Sequence, residues 1–267
     1  MQQDATHQAA EGISIHLAPE VIGHLGDLPL TNTLLTVWLT IAVLVGLAFL
    51  VRRRLALVPD RVQMLAELVV GGAYDYVEKV LASEALARRF FPIIATLFLL
   101  ILGANWLGLL PGIDSVGLWS SHGGEEKLVP FFHPANTDLN VTLALAIIAF
   151  LTVEFAGVAA LGALKYAGKF VNFKSPLAFL IGIIELFSEL ARLVSFSFRL
   201  FGNIFAGKTL IVVAIFFVPY LVPVPLLAFE LFVGLIQAFI FSVLTLFFIR
   251  LAVEEPHGGE EAHGAHP

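Results

Sequence analysis

Five polar or charged side chains, Glu185, Glu189, Arg192, Arg199 and Asn203, interrupt an otherwise apolar stretch, LAFLIGIIELFSELARLVSFSFRLFGNIFAGKTLIVVAIFFV, at residues 177–218. At about 100° per residue they fall within an arc of roughly 80° on one helix, with Ser188 and Ser195 flanking it. Ionisable groups at membrane depth cost about 2.5 to 3.5 kcal/mol each on insertion scales, so such a stripe must face a partner or a water-filled path. Passage of a proton or sodium ion needs titratable carboxyls, polar relays and a cation that blocks unproductive flow. Arg199 suits the last role, because a guanidinium keeps its charge where Lys or His would lose theirs. The plainer reading of Arg199 is a salt bridge to Glu185, Glu189 or a neighbouring helix. Gly202, three residues on, removes bulk beside it and suits close approach of another helix.

Further candidates lie outside the stripe. Glu230 and Gln237 are seven residues apart and share a helix face, each with an ordinary interhelical hydrogen bond as the alternative. Lys208 sits about 140° from Asn203 and is placed to pair with Glu230 across two helices. Glu154 stands alone in an apolar run about 16 Å from Lys165, either a proton site or a protonated group packed in protein. All eight histidines lie outside the hydrophobic runs, and the tail EEPHGGEEAHGAHP reads as a solvated end with at most weak metal affinity. With no cysteine, neither a disulfide nor a thiolate metal site is available. No phosphate-binding loop, nucleophile with its base or nucleic-acid surface is present, so no cofactor is implied and any energy from ATP must come from a partner.

The elements that position these residues follow from hydropathy. The 267-residue chain is 58% hydrophobic and only 13% charged, which describes an all-α integral membrane protein. Five membrane helices are expected at residues 33–51, 90–110, 138–164, 177–218 and 226–253, within a single membrane domain at 30–253. Residues 1–29 form an outer segment, 219–225 an outer turn and 254–267 a flexible cytoplasmic tail. Residues 60–89 alternate apolar and charged positions at helical spacing, which suits an amphipathic helix or hairpin on the cytoplasmic interface, broken near Gly71 and Gly72. As one helix the 177–218 stretch is about 63 Å long at ~1.5 Å per residue. A bilayer core spans only ~30 Å, so this helix must tilt steeply, bend at Gly202 or Gly207, or run partly along the membrane.

Orientation comes from the basic residues. Eleven Lys and Arg (Arg52, Arg53, Arg54, Arg61, Lys79, Arg88, Arg89, Lys165, Lys169, Lys174 and Arg250) collect on the cytoplasmic side if the amino terminus is outside and the carboxyl terminus inside, against Lys127 alone on the other. No basic segment precedes the first apolar run, so a cleaved signal is not expected. The polar load sits in one half with no matching repeat, which counts against the rival reading of a secondary cation or proton antiporter. A purely structural anchor would not need the buried Arg199 with Glu185, Glu189 and Glu230.

Four segments carry a family likeness: SFSFRLFGNIFAGKTL (195–210), LIQAFIFSVLTLFFI (235–249), ATLFLLILGANWLGLLPG (95–112) and PANTDLNVTLALA (134–146). Together they closely resemble subunit a of F-type ATP synthases, the stator channel subunit of the membrane Fo motor, over nearly the whole chain. The resemblance implies two aqueous half-channels leading to a rotating ring of c subunits, with the last two helices strongly tilted along it. It implies peripheral-stalk b subunits and, indirectly, the F1 sector as further partners, in a bacterial inner membrane. Arg199 matches the family's essential arginine, Asn203 and Gln237 match polar positions near it, and Glu185 matches an acidic position on the exit side. The chain departs where the family often has Pro, at Leu193. It departs again where the family commonly pairs Glu with His and this chain has Lys208 and Glu230, which are expected to form a coupled charge pair serving the outer half-channel.

Overall fold

The computed structural model describes residues 19–53, 55–56, 59–110, 112–113, 116–122, 125–170, 175–218 and 221–254. Most of the outer segment, Arg54, Asp114, Lys174 and the tail from Glu255 onward therefore lie outside the described residues, and with them the weak metal affinity expected of the tail. A short hairpin, β1 (Val21–Leu25) and β2 (Leu28–Thr31), leads into α1 (Asn32–Arg53). Then come α2 (Arg61–Leu81), α3 (Glu84–Gly108), a second hairpin of β3 (Gly117–His122) and β4 (Glu125–Pro130), a 3₁₀ turn (Ala135–Thr137), α4 (Leu139–Leu161), α5 (Ala163–Phe170), α6 (Pro176–Phe217) and α7 (Pro223–Val253). Five of these, α1, α3, α4, α6 and α7, are long and apolar enough to cross a membrane. The all-α membrane architecture expected from hydropathy is what the chain adopts.

Local chemistry sets the boundaries. The Asp60 carboxylate accepts from the Gln63 N–H at 2.7 Å and starts α2, and the Ser83 hydroxyl accepts from Leu86 N–H at 3.4 Å and starts α3. Between them Ala82 takes a left-handed φ of 50° and turns the chain. The expected break near Gly71 and Gly72 does not occur: α2 runs through both, because glycine only weakens a helix interior, and the real boundary is the Ala82–Ser83 turn. Residues 84–89 consequently belong to the crossing helix α3 rather than to the interfacial one.

The run expected at 138–164 is also divided, because Gly162 at φ 82° ends α4 and sets off the short α5. Pro223 and Pro225, expected in an outer turn, lie in the first turn of α7, where a missing N–H costs nothing. The 42 residues of α6 form one uninterrupted helix, started by the Ser175 hydroxyl accepting from Ala178 N–H at 3.0 Å with Pro176 in the first turn. Neither Gly202 nor Gly207 ends it.

Lipid tails remove most of the hydrophobic drive for helix association, so close packing and buried hydrogen bonds hold the bundle. Ala146, Ala149 and Ala238 are fully buried and let α4, α6 and α7 approach around Leu200, Phe196 and Phe241. A second core joins α2 to the others through Val77, Leu81, Phe90, Val153 and Ile249. The Arg250 guanidinium on α7 donates to the Val80 carbonyl near the end of α2 at 2.5 Å, which ties the amphipathic helix to the bundle. Hydroxyls of Thr36, Thr40 and Thr245 donate back to carbonyls four residues earlier, so the buried threonines leave no donor unmet.

Candidate functional site

The candidate side chains fall into three groups along α6. Arg199 occupies the middle, about 15 Å along the axis from Glu189 and about 13 Å from Lys208. Its guanidinium donates to the Ser195 hydroxyl at 3.3 Å, one turn earlier. Its backbone carbonyl accepts from Gln237 Nε2 on α7 at 2.8 Å, which fixes the register of the two helices at this point. Gln237 is itself buried, whereas Ser195 and Asn203 are exposed and Arg199 is half-buried. Among the described residues no carboxylate lies within ion-pair distance of Arg199. A Cβ built on Gly202 would meet nothing within 4 Å, so the face of α6 carrying Ser195, Arg199, Gly202 and Asn203 is open.

A second group lies beyond Lys208. Glu230 on α7 is 5% exposed, and its carboxyl occupies the space that a side chain at Gly207 on α6 would fill. Its Oε1 is buried without a hydrogen-bond partner. Glu230 and Lys208 both line a cavity of about 320 Å³, together with Asn105, Pro134, Ile204 and Leu227. The expected Lys208–Glu230 ion pair is not formed: Lys208 Nζ instead lies 3.1 Å from His133 Nδ1, in the chain leading to α4. Asn136 Nδ2 donates to Asn105 Oδ1 at 2.7 Å, and Asn105 Nδ2 donates to the Gly234 carbonyl at 3.0 Å, so the amides brace α3 against α7 beside the cavity. Gly234 permits this by leaving Asn105 only 3.1 Å from where a Cβ would stand.

The third group is ionic. Glu189, 3% exposed, accepts from Arg192 at 2.6 Å through one carboxylate oxygen and from Lys169 at 3.3 Å through the other. Lys169 also pairs with Glu185 at 2.7 Å. Burial pulls the Lys169 pKa down, but the carboxylates of Glu185 and Glu189 outweigh it and hold the ammonium above the ordinary lysine value. The Arg192 guanidinium lies 3.9 Å over the Phe248 ring, a cation–π contact to α7.

Lys169 reaches this group because α5 is seated across α4 and α6. The Tyr166 ring fills the space at Gly157, and the Phe170 carbonyl fills the space at Gly182. Glu154, which stands alone in sequence, is beside Tyr166, whose hydroxyl is pushed upward by burial and then by the Glu154 carboxyl. No cluster of three or more His, Asp or Glu among the described residues is arranged to hold a metal ion.

Of the residues singled out from sequence, Ser195, Arg199, Asn203 and Gln237 lie in the middle group, Lys208 and Glu230 line the cavity, and Glu185 and Glu189 belong to the ionic group, whereas His133, Asn105, Asn136 and Tyr166 were not singled out. The signal available for Asn105 was an amide inside an otherwise apolar run. His133 carried none, since its contact with Lys208 spans 75 residues.

Five membrane-length helices around buried polar groups define a polytopic integral membrane protein. The family model described as ATP synthase A chain matches residues 34–250, and the chain belongs to that family. It is 31% identical over 234 residues to ATP synthase subunit a of Moorella thermoacetica, covering 88% of this chain and 96% of the relative. Identity is 36% over 219 residues with subunit a of Campylobacter jejuni, covering 81% and 88%. With that of Gloeobacter violaceus it is 38% over 228 residues, covering 84% of each.

Proposed function

We propose that this chain is the proton-conducting stator subunit of the Fo sector of an ATP synthase. The Glu230 cavity serves as the outer half-channel, the Glu185–Glu189 group as the inner one, and Arg199 as the charge that keeps them apart. On this reading the open face of α6 meets a ring of c subunits, peripheral-stalk b subunits hold the bundle still, and F1 supplies or takes the energy of ATP. The assembly sits in the bacterial inner membrane with the amino terminus outside and the carboxyl terminus cytoplasmic.

The observation that carries this is the state of Arg199. Its chain offers carboxylates on both sides, yet Glu185 and Glu189 are held by Lys169 and Arg192, and Glu230 packs at Gly207, eight residues along α6. A guanidinium at membrane depth on an exposed face, with no carboxylate of its own, fits a partner that brings one. The Gln237 bond to the Arg199 carbonyl holds the backbone while leaving the guanidinium to the partner.

The test is ATP-driven acidification of liposomes carrying the assembled complex, with and without a sodium ionophore, for wild type and Arg199→Ala. Wild type should acidify the lumen whether or not the ionophore is present, and Arg199→Ala should assemble but fail to pump. Undiminished pumping by the variant would make Arg199 structural, and acidification that depended on the ionophore would make sodium the transported ion.

A further inference from the structure

We propose that His133 and Lys208 act as one proton-sharing unit between the outer cavity and the outer surface, with His133 as its titratable member. The inference rests on the reading of the Glu230 cavity as a proton path. A lysine in such a path poses a chemical problem, because an ammonium that keeps its charge neither accepts a proton at neutral pH nor readily gives one up. The structure sets an imidazole 3.1 Å from that ammonium. Imidazole is the side chain whose ordinary titration lies near neutrality. His133 is 3% exposed and adjoins Pro134, which lines the cavity, and its backbone N–H donates to Thr36 Oγ1 on α1 at 3.1 Å. The His133 backbone is thus anchored to α1, and its ring meets Lys208 of α6.

Further charged groups stand on the elements that pack with the unit. Glu230 of α7 lines the same cavity as Lys208. Asp138 at the head of α4 is engaged by the Thr33 hydroxyl at 2.8 Å and the Asn140 N–H at 2.8 Å. Glu20 lies before β1, with its backbone N–H donating to Asn32 Oδ1 at the head of α1 at 3.1 Å. On this proposal the His133–Lys208 unit rests with a single positive charge. During pumping Glu230 releases a proton to the cavity, the unit takes it as a second charge, and repulsion between imidazolium and ammonium sends one proton outward. Only O–H and N–H bonds break and form, and the unit returns to one charge.

The experiment is the initial rate of ATP-driven pumping by the reconstituted complex, with lumen pH set at steps from acid to alkaline and external pH fixed. Wild type should slow as the lumen is acidified through the imidazole range. His133→Gln, which keeps a hydrogen-bond acceptor for Lys208, should pump at least about tenfold more slowly and lose that inflection. Lys208→Gln removes the neighbouring charge, so His133 protonates more readily and the inflection should move to higher lumen pH by about one unit.

A His133→Gln complex that assembles and keeps the wild-type rate and profile overturns the proposal. If that variant fails to assemble, an unmoved inflection in Lys208→Gln overturns it instead. Wild-type pumping by Glu230→Gln would overturn the underlying channel reading, whereas a block in Glu230→Gln beside an unaffected His133→Gln removes only the present inference.

Discussion

Glu230 and Glu189 are almost equally buried, at 5% and 3% exposed, but their surroundings differ in kind. Glu189 has both carboxylate oxygens in ion pairs, to Arg192 and to Lys169. Glu230 borders a cavity and leaves Oε1 without a hydrogen bond. A buried carboxylate that engages two cations ties their helices together, and removing it orphans those cations. A carboxyl beside space that water can fill is free to change state at little structural cost. On the proposed function the Glu230 group is the one suited to exchange protons with water, whereas the ion pairs of Glu185 and Glu189 tie α5 to α6.

The contrast breaks most sharply under isosteric substitution. Glu230→Gln keeps shape and packing while removing the proton site, so ATP-driven pumping should fall by about two orders of magnitude with thermal stability unchanged. Gly207→Ala should come next. Its Cβ would collide with the Glu230 carboxyl and force it out of its seat, reducing pumping about tenfold while leaving the carboxyl chemically intact. Restoration of the rate by pairing Gly207→Ala with Glu230→Asp would show that crowding, not glycine flexibility, is responsible. If Gly207→Ala pumped normally, the tight fit of Glu230 under α6 would have no functional weight.

Glu189→Gln should behave in the opposite manner from Glu230→Gln. It leaves the Arg192 guanidinium without a carboxylate and Lys169 with Glu185 alone, so the solubilised complex should lose about 1 to 3 kcal/mol of stability. Pumping measured below the lowered melting point should change far less than in Glu230→Gln. Equal stability loss in both variants would erase the distinction between the groups.

Much of this arrangement can be read along one helix, and the rest depends on contacts between helices. The stripe from Glu185 to Asn203 is visible because helical spacing converts directly into a face. Its division is not visible: Glu189 turns inward while Ser195 and Asn203 stay open, because α5 covers only the first third of α6. Nothing local to Lys169 announces that Gly157 and Gly182 clear a seat for its helix. The two hairpins had local signals, a Gly–Asp turn between β1 and β2 and a Gly–Gly pair between β3 and β4, which the acidity of the loops obscured. Charge alone pairs Lys208 with Glu230, and the segment leading to α4 changes this by bringing His133 to the lysine.

The smallest predicted effect concerns the pH dependence of the Lys169 ion pairs. Lys169 has a folded pKa above the ordinary lysine value, and so its contribution is complete below that value and disappears as pH rises through the folded one. Tyr166, also shifted upward, acts in the same direction, since the buried phenol must stay neutral while an unfolded one ionises. The melting temperature of wild type should therefore exceed that of Lys169→Met by a constant few degrees across neutral and mildly alkaline pH, and the gap should close only above about pH 10.4. Closure already below about pH 9 would mean that Lys169 does not hold the inner carboxylates as an ammonium.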